Sequence, residues 1–305
     1  MAPDAQRYSS LTTHHSSLSF AIASRDELWL NGVRVESRLS HGVARDFSSR
    51  IDASDDFDEE LVHACDELIA RLRRSVVDGA RMRLVAGARR VREVVMTEAT
   101  ITTTIGGVSI VGSDVDALRT ILATPRRDEW RGQPIIWRNG SASVLLHEAI
   151  GHAAEHDAPP VAWPSWLSVH DEPSFPIDDC GNDTRVVDLT REAPACMRRE
   201  SFRDVPLRRM TNLIARTSGA PAPSPAHAVE VFLVAGGSYD PLTDVVSVDV
   251  AVSTAGAFTI RKPRAEIAAS IAGAIGEPIR YPGVICSREG QELAVGSFAP
   301  VVVTR

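Results

Sequence analysis

Apolar and polar positions alternate through the first part of the chain, as they do in strands. Leu18–Ser24 reads as a strand, and Glu27–Leu39 as a hairpin turning at Asn31-Gly32. The period then changes. Within Asp55–Val77, Leu61, Cys65, Leu68, Ile69 and Leu72 recur at helical spacing, with acids early and arginines late, the order the helix dipole favours. Alternation returns over Arg81–Gly112, dense in β-branched residues, with Gly106-Gly107 as a turn. Ser113–Thr124 reads as a short helix capped by Ser113 or Asp114. Pro125–Gly140 is charged and turn-rich, holds a short strand at Pro134–Arg138, and is the candidate domain boundary.

The second half has fewer helical patterns. One leads through Val144, Leu145 and Leu146, with Ser141 and Ser143 as candidate N-caps. A Pro- and Trp-rich loop follows at Ala158–Asp183, then a strand at Thr184–Leu189 and a basic run from Cys196 to Asn212. Pro221–Pro225 reads as a loop tip. Glu230–Val234, Val245–Ser253, Ala257–Arg261 and Leu293–Val303 read as strands, with Gly236-Gly237 between the first two and a short Ala-rich helix at Arg264–Ala274. The expected class is α+β. A small N-terminal α/β region, residues 1–130, precedes a strand-rich, mostly antiparallel catalytic domain with a metal-binding helix, residues 131–305.

Composition narrows the picture in three ways. At 305 residues and 44% hydrophobic, the chain can bury a sizeable core. A net charge of −7 argues against nucleic acid as a partner. Neither a signal-peptide pattern nor a membrane-length apolar run is present, so a cytoplasmic protein with no membrane partner is expected. The four cysteines, Cys65, Cys180, Cys196 and Cys286, form no C-x-x-C and argue against a disulfide framework.

The chemistry concentrates in Val144–Asp157, VLLHEAIGHAAEHD. His147-Glu148 has the start of a metalloprotease helix: an imidazole to hold a metal and a carboxylate beside it to accept a proton from water. The second His of the usual zincin would fall at Gly151, but the next His is His152. On a regular α-helix, residues five apart point about 140° away from each other. Both rings would reach one ion only if the helix breaks or bulges, and Gly151 is the residue expected to permit it. His152-Ala-Ala-Glu155-His156 also fits the inverted order H-x-x-E-H on an unbroken helix. A solvated polar helix end is the third reading.

Three ordered segments, LLHEAIGHAAEHD, RRESFRDVPLRRMTN and CSREGQELAVGSFAPVV, together resemble the TldD/PmbA family of bacterial metalloproteases. The resemblance covers roughly residues 141 to 303. It implies His147, His152 and Cys286 as ligands of one Zn²⁺ or another divalent transition metal, and Glu148 as general base. It implies substrate contacts at Arg199, Ser201, Arg203, Gly236 and Gly237, with an extended peptide lying along a sheet. It also implies a dimer, either homomeric or paired with a related metal-free subunit. The chain is shorter than a typical member of the family, and Phe202 stands where the family commonly has Tyr. The expected activity is cleavage of unfolded or modified peptides. A hydrolase of a small natural-product amide is the enzymic alternative, and a non-catalytic scaffold subunit is the alternative from another class.

Overall fold

The computed structural model describes residues 19–45, 51–52, 58–91, 93–156, 158–173, 176, 184–191, 199–200, 205–206, 210–222, 224–281, 285–288 and 291–305. Of these, 19–20, 43–45, 51–52, 91, 199–200, 205–206, 285–288 and 291–294 are described by their backbone alone.

The first sheet is antiparallel throughout and takes the order β3-β2-β1-β4-β5-β6. Its strands are β1 (Ser19–Leu30), β2 (Val33–Arg45), β3 (Ile51–Asp52), β4 (Arg81–Val91), β5 (Val94–Ile105) and β6 (Val108–Val111). Asn31 and Gly32 both take positive φ, 47° and 75°, the conformation a two-residue hairpin turn needs to match the strand twist. Helix α1 (Glu59–Leu72) lies on one face, its N-terminus capped by Asp58, whose carboxylate accepts from Leu61 N at 3.2 Å. Leu61, Cys65 and Ile69 are fully buried there, packed in one core with Ala23 of β1 and Met82, Leu84, Ala86 and Ala88 of β4. Each large apolar side chain so buried contributes about 1.5–3 kcal/mol. The helical spacing thus matches a real buried stripe. Cys65 is a core residue whose thiol, pushed up to about 11 by burial, sits 3.3 Å from the carbonyl oxygen of Ala23.

Helix α2 (Val115–Leu122), capped by Asp114 at Ala117 N, bridges two cores: Val115 belongs to the first and Leu118 to a second. The second core fills the space between a larger mixed sheet and the histidine-bearing helix. That sheet runs β15-β14-β13-β7-β19-β12-β8-β9, with β16 also on β19. The strands are β7 (Ile135–Trp137), β8 (Leu167–Asp171), β9 (Val187–Asp188), β12 (Asn212–Thr217), β13 (Val229–Asp240), β14 (Val245–Ser253), β15 (Phe258–Pro263), β16 (Ile271–Arg280) and β19 (Gly296–Thr304). Two small antiparallel pairs stand apart from it: β10 (Arg199–Glu200) with β11 (Val205–Pro206), and β17 (Ile285–Arg288) with β18 (Gln291–Ala294). Pairing is antiparallel except at β12–β19 and β13–β7. The architecture is α+β.

Local expectations fail at three places. The stretch 158–183 holds a strand, β8, because Leu167, Val169 and Asp171 alternate into the interior and pair along β12. The helix begun at Arg264 (α4, Arg264–Ser270) stops at Ser270, since Ile271 onward bonds to β19 as β16. Gly236-Gly237, expected between two strands, lie inside β13 and pair with Asp249 and Val248 of β14.

One buried charge in the first sheet escaped sequence reasoning. Glu27 of β1 is wholly buried and accepts from Arg34 (2.9 Å), Arg73 Nε (3.0 Å), Trp29 Nε1 (3.1 Å) and Ser37 (3.3 Å). Burial alone would raise its pKa, but the bonds from Arg73, Arg34 and Trp29 outweigh burial and bring it down to about 2. A depressed carboxylate contributes stability that is complete above its unfolded pKa, near 4.5, and lost as pH falls toward 2. Glu27→Gln should therefore lower the unfolding free energy at neutral pH by about 2–3 kcal/mol, because charged donors lose their partner. The deficit should shrink below about pH 4, as chemical denaturation across pH 2–7 will measure.

Candidate metal centre

Helix α3 (Ala142–Glu155) is buried along nearly its whole length. Ala142 through Gly151 are all buried. Its expected serine caps do not cap. Ser141 Oγ lies 3.4 Å from the carbonyl oxygen of Val231, and Ser143 Oγ, also buried, finds no hydrogen-bond partner among the described residues.

The backbone of α3 changes register along its length. Ala142–Leu146 is α-helical, His147–His152 is a π-helical turn, and Ala153–Glu155 is α-helical again. In a π turn hydrogen bonds run from residue i to i+5, so residues five apart stack where residues four apart would in an α-helix. The wide turn begins at His147 and ends at His152. It brings the two rings to 4.8 Å between centroids, nearly perpendicular at 85°. Ligand atoms of His147, Glu148 and His152 all lie within 4.8 Å of one another. The bulge allowed for in the sequence is present, but its cause differs from expectation. Gly151 is not among the glycines of positive φ. It is required for space: a Cβ there would stand 2.2 Å from Met210 Sδ and 3.2 Å from Leu213 Cδ1.

Each side chain of the group is held from behind. His152 Nδ1 lies 3.0 Å from Glu155 Oε2, and Glu155 Oε1 accepts from Met210 N at 2.7 Å. A carboxylate on Nδ1 fixes the tautomer with hydrogen there, leaving the Nε2 lone pair for an ion. That Nε2 is 4.0 Å from Glu148 Oε2. His147 is fully buried, with Nδ1 3.4 Å from Ser297 Oγ of β19. Glu148 is pressed against Gly237 of β13, where a Cβ would come within 2.7 Å of Glu148 Cγ. Burial is the main influence on this carboxyl. It raises the pKa to about 6, with His152 opposing the rise and Glu155 adding to it. Two imidazoles and a nearby carboxylate, one imidazole tied by an outer carboxylate, form a donor set that suits zinc or a similar divalent ion.

The inverted reading loses its geometry here. Glu155 faces the back of His152 and a backbone amide, and His156, at the frayed helix end, packs edge-on against Tyr239 at 5.8 Å. Glu155, read from the sequence only as the acid of the inverted motif, instead supports His152, and nothing in the sequence signals its bond from Met210 N.

Of the other expected residues, Gly236 and Gly237 lie on β13, and Gly237 packs against Glu148. Arg199 belongs to the β10–β11 pair, and Cys286 lies on β17 opposite Leu293; both are described by backbone only. Ser201, Arg203, Cys180 and Cys196 lie outside the described residues. No helix among the described residues is long and apolar enough to cross a membrane.

No family model and no curated protein matches the sequence. Solved structures do. TldE from Thermococcus kodakarensis aligns over 95% of each chain at 12% identity, with a TM-score of 0.50. A Thermotoga maritima protein described as a candidate modulator of a DNA gyrase aligns over 94% of each chain at 10% identity, with a TM-score of 0.49. TldE is a TldD/PmbA-family protein, and what the chain shares with it is the fold.

The raised pKa of Glu148 carries a sign that can be checked without metal. A carboxyl whose folded pKa lies above its unfolded one costs stability once pH exceeds about 4.5, and the cost levels off above about 6. In chelator-treated protein, Glu148→Gln should raise the unfolding free energy at pH 8 by about 2 kcal/mol. The gain should vanish near pH 4, as read by denaturant titration.

Proposed function

We propose that the chain is a metal-dependent peptidase in which His147, His152 and Cys286 hold one divalent transition metal ion, zinc by its donor set, and Glu148 is the general base. The observation that carries this reading is the π turn, which brings together two imidazoles that a regular helix would hold apart. A bound zinc supplies a Lewis acid that polarises a peptide carbonyl and acidifies water. The remaining work falls to the chain. Glu148, with a pKa raised to about 6, is basic enough at neutral pH to take a proton and acidic enough to return it to a leaving amine. Glu155 keeps His152 in one tautomer and one orientation. Gly237 leaves room for the Glu148 side chain against β13.

Substrate binding follows from β13. β7 pairs with it only as far as Val231, whereas β13 runs on to Asp240, past the Glu148 carboxylate. An extended peptide can add to such an edge through backbone hydrogen bonds, which give affinity with loose sequence preference. This favours unfolded or modified peptides over folded proteins. In the same proposal Gly236 lets the peptide backbone approach, Arg199, Ser201 and Arg203 contact substrate, and the working unit is a dimer of this chain or of this chain with a metal-free relative.

Metal analysis and peptide cleavage together separate this reading from a scaffold role. Purified protein should carry about one zinc per chain. Cys286→Ala should lower that content sharply, and Glu148→Ala should keep the metal while losing cleavage of an unstructured peptide library. Unchanged zinc in the first variant removes Cys286 as a ligand. Full activity in the second removes Glu148 as base. A metal-free, inactive wild type supports the scaffold.

A further inference from the structure

Tyr281 follows the last residue of β16, and its hydroxyl reaches the edge of β13. Its oxygen accepts from Val234 N at 2.9 Å and donates to Val234 O at 2.9 Å. Both main-chain groups of one residue are thereby satisfied by a single side-chain hydroxyl, as a neighbouring strand would satisfy them. Tyr281 is 3% exposed, and burial pushes its pKa up to about 12, so the hydroxyl keeps the proton it donates. Its own amide donates to Ser297 O at 2.8 Å, and Ser297 Oγ is the group 3.4 Å from His147 Nδ1.

The position of this bond along β13 gives it a consequence. The same edge is used by β7 at Val229–Val231, and Arg138 N donates to Val231 O there. Tyr281 then occupies Val234, and the strand shifts register against β14 between Val234 and Gly236. Beyond this point Ala235, Gly237 and Ser238 are exposed. Among the described residues the open edge of β13 therefore begins just past Val234, three residues before Gly237, which packs against Glu148.

We infer that Tyr281 is a positioning residue that sets the register of an extended peptide on β13: by filling the Val234 pairing site, it confines a substrate backbone to the stretch past Val234. The inference rests on the proposed docking of substrate along this edge. A strand slips by two residues when it keeps the same face, so a lost stop should appear as cleavage two bonds away.

The test compares wild type with Tyr281→Phe, which keeps the ring, using one short unstructured alanine-based peptide and zinc-loaded protein. Mass spectrometry of the products should show one principal cut in wild type and a second cut two residues away in the variant. kcat/KM at the original bond should fall about three- to tenfold, as bound peptide divides between two registers. The register is read separately from hydrolysis by amide hydrogen exchange of Glu148→Gln saturated with the same peptide. Protection gained on adding peptide should begin past Val234, and should extend to Val234 when Tyr281→Phe is added. A folded, metal-loaded Tyr281→Phe that cuts the same single bond with unchanged kcat/KM overturns the inference, as does protection identical in both backgrounds or absent from β13. Protection in the expected pattern without cleavage by wild type removes the peptidase reading and leaves the register role standing. Cleavage without protection of β13 does the reverse.

Discussion

The structure depends on one backbone constraint: six residues of α3, from His147 to His152, are wound in π register inside an otherwise α-helical rod. A π turn is intrinsically less favourable than an α turn, and it persists where surrounding packing holds it. Here the packing is plain. The rod is buried on all sides from Ala142 to Gly151, and Gly151 sits under Met210 and Leu213 without room for a methyl group. Met210 also donates its amide to Glu155, the residue that grips His152 from behind. The segment just before β12 therefore presses the helix at the wide turn and supports one of the two histidines just beyond it.

The second support comes from the sheet. β13 approaches the helix so closely that only glycine fits at position 237, and the Glu148 carboxyl is left in a dry setting that raises its pKa. β19 brings Ser297 to the other histidine. The same sheet supplies the wall behind Glu148 and the open strand edge, so the burial of the carboxyl and the proposed docking edge have a common origin. The proposed metal chemistry and the proposed binding mode both rest on laying one distorted helix across one mixed sheet.

Much of this was legible in the sequence where the controlling physics is local. Asn31-Gly32 specifies its turn by itself, Asp114 caps its own helix, and the stripe of Leu61, Cys65 and Ile69 announces a buried face. The five-residue spacing of His147 and His152 demanded a departure from α geometry, and that departure is present. What could not be read depends on partners far along the chain. Glu155 meets Met210 across 55 residues, and Tyr281 meets Val234 across 47. Gly151 suggested conformational freedom, whereas its neighbours demand small volume. Gly236-Gly237 read as following a strand, not lying inside it, because glycine weakens a strand interior. In the fold they allow close approach of a strand to Glu148. Ser141 and Ser143 looked like caps because nothing in the sequence says that their helix starts inside the core.

In the proposed function the wide turn lets His147 and His152 share one ion, with the Cys286 thiolate as the third protein ligand. X-ray absorption at the zinc edge of the loaded protein tests this without reference to activity. The account predicts a shell of two imidazole nitrogens at about 2.0–2.1 Å and one sulfur at about 2.3 Å, with a lighter oxygen donor completing four. A shell with one imidazole or none, or one built of oxygens alone, would contradict it.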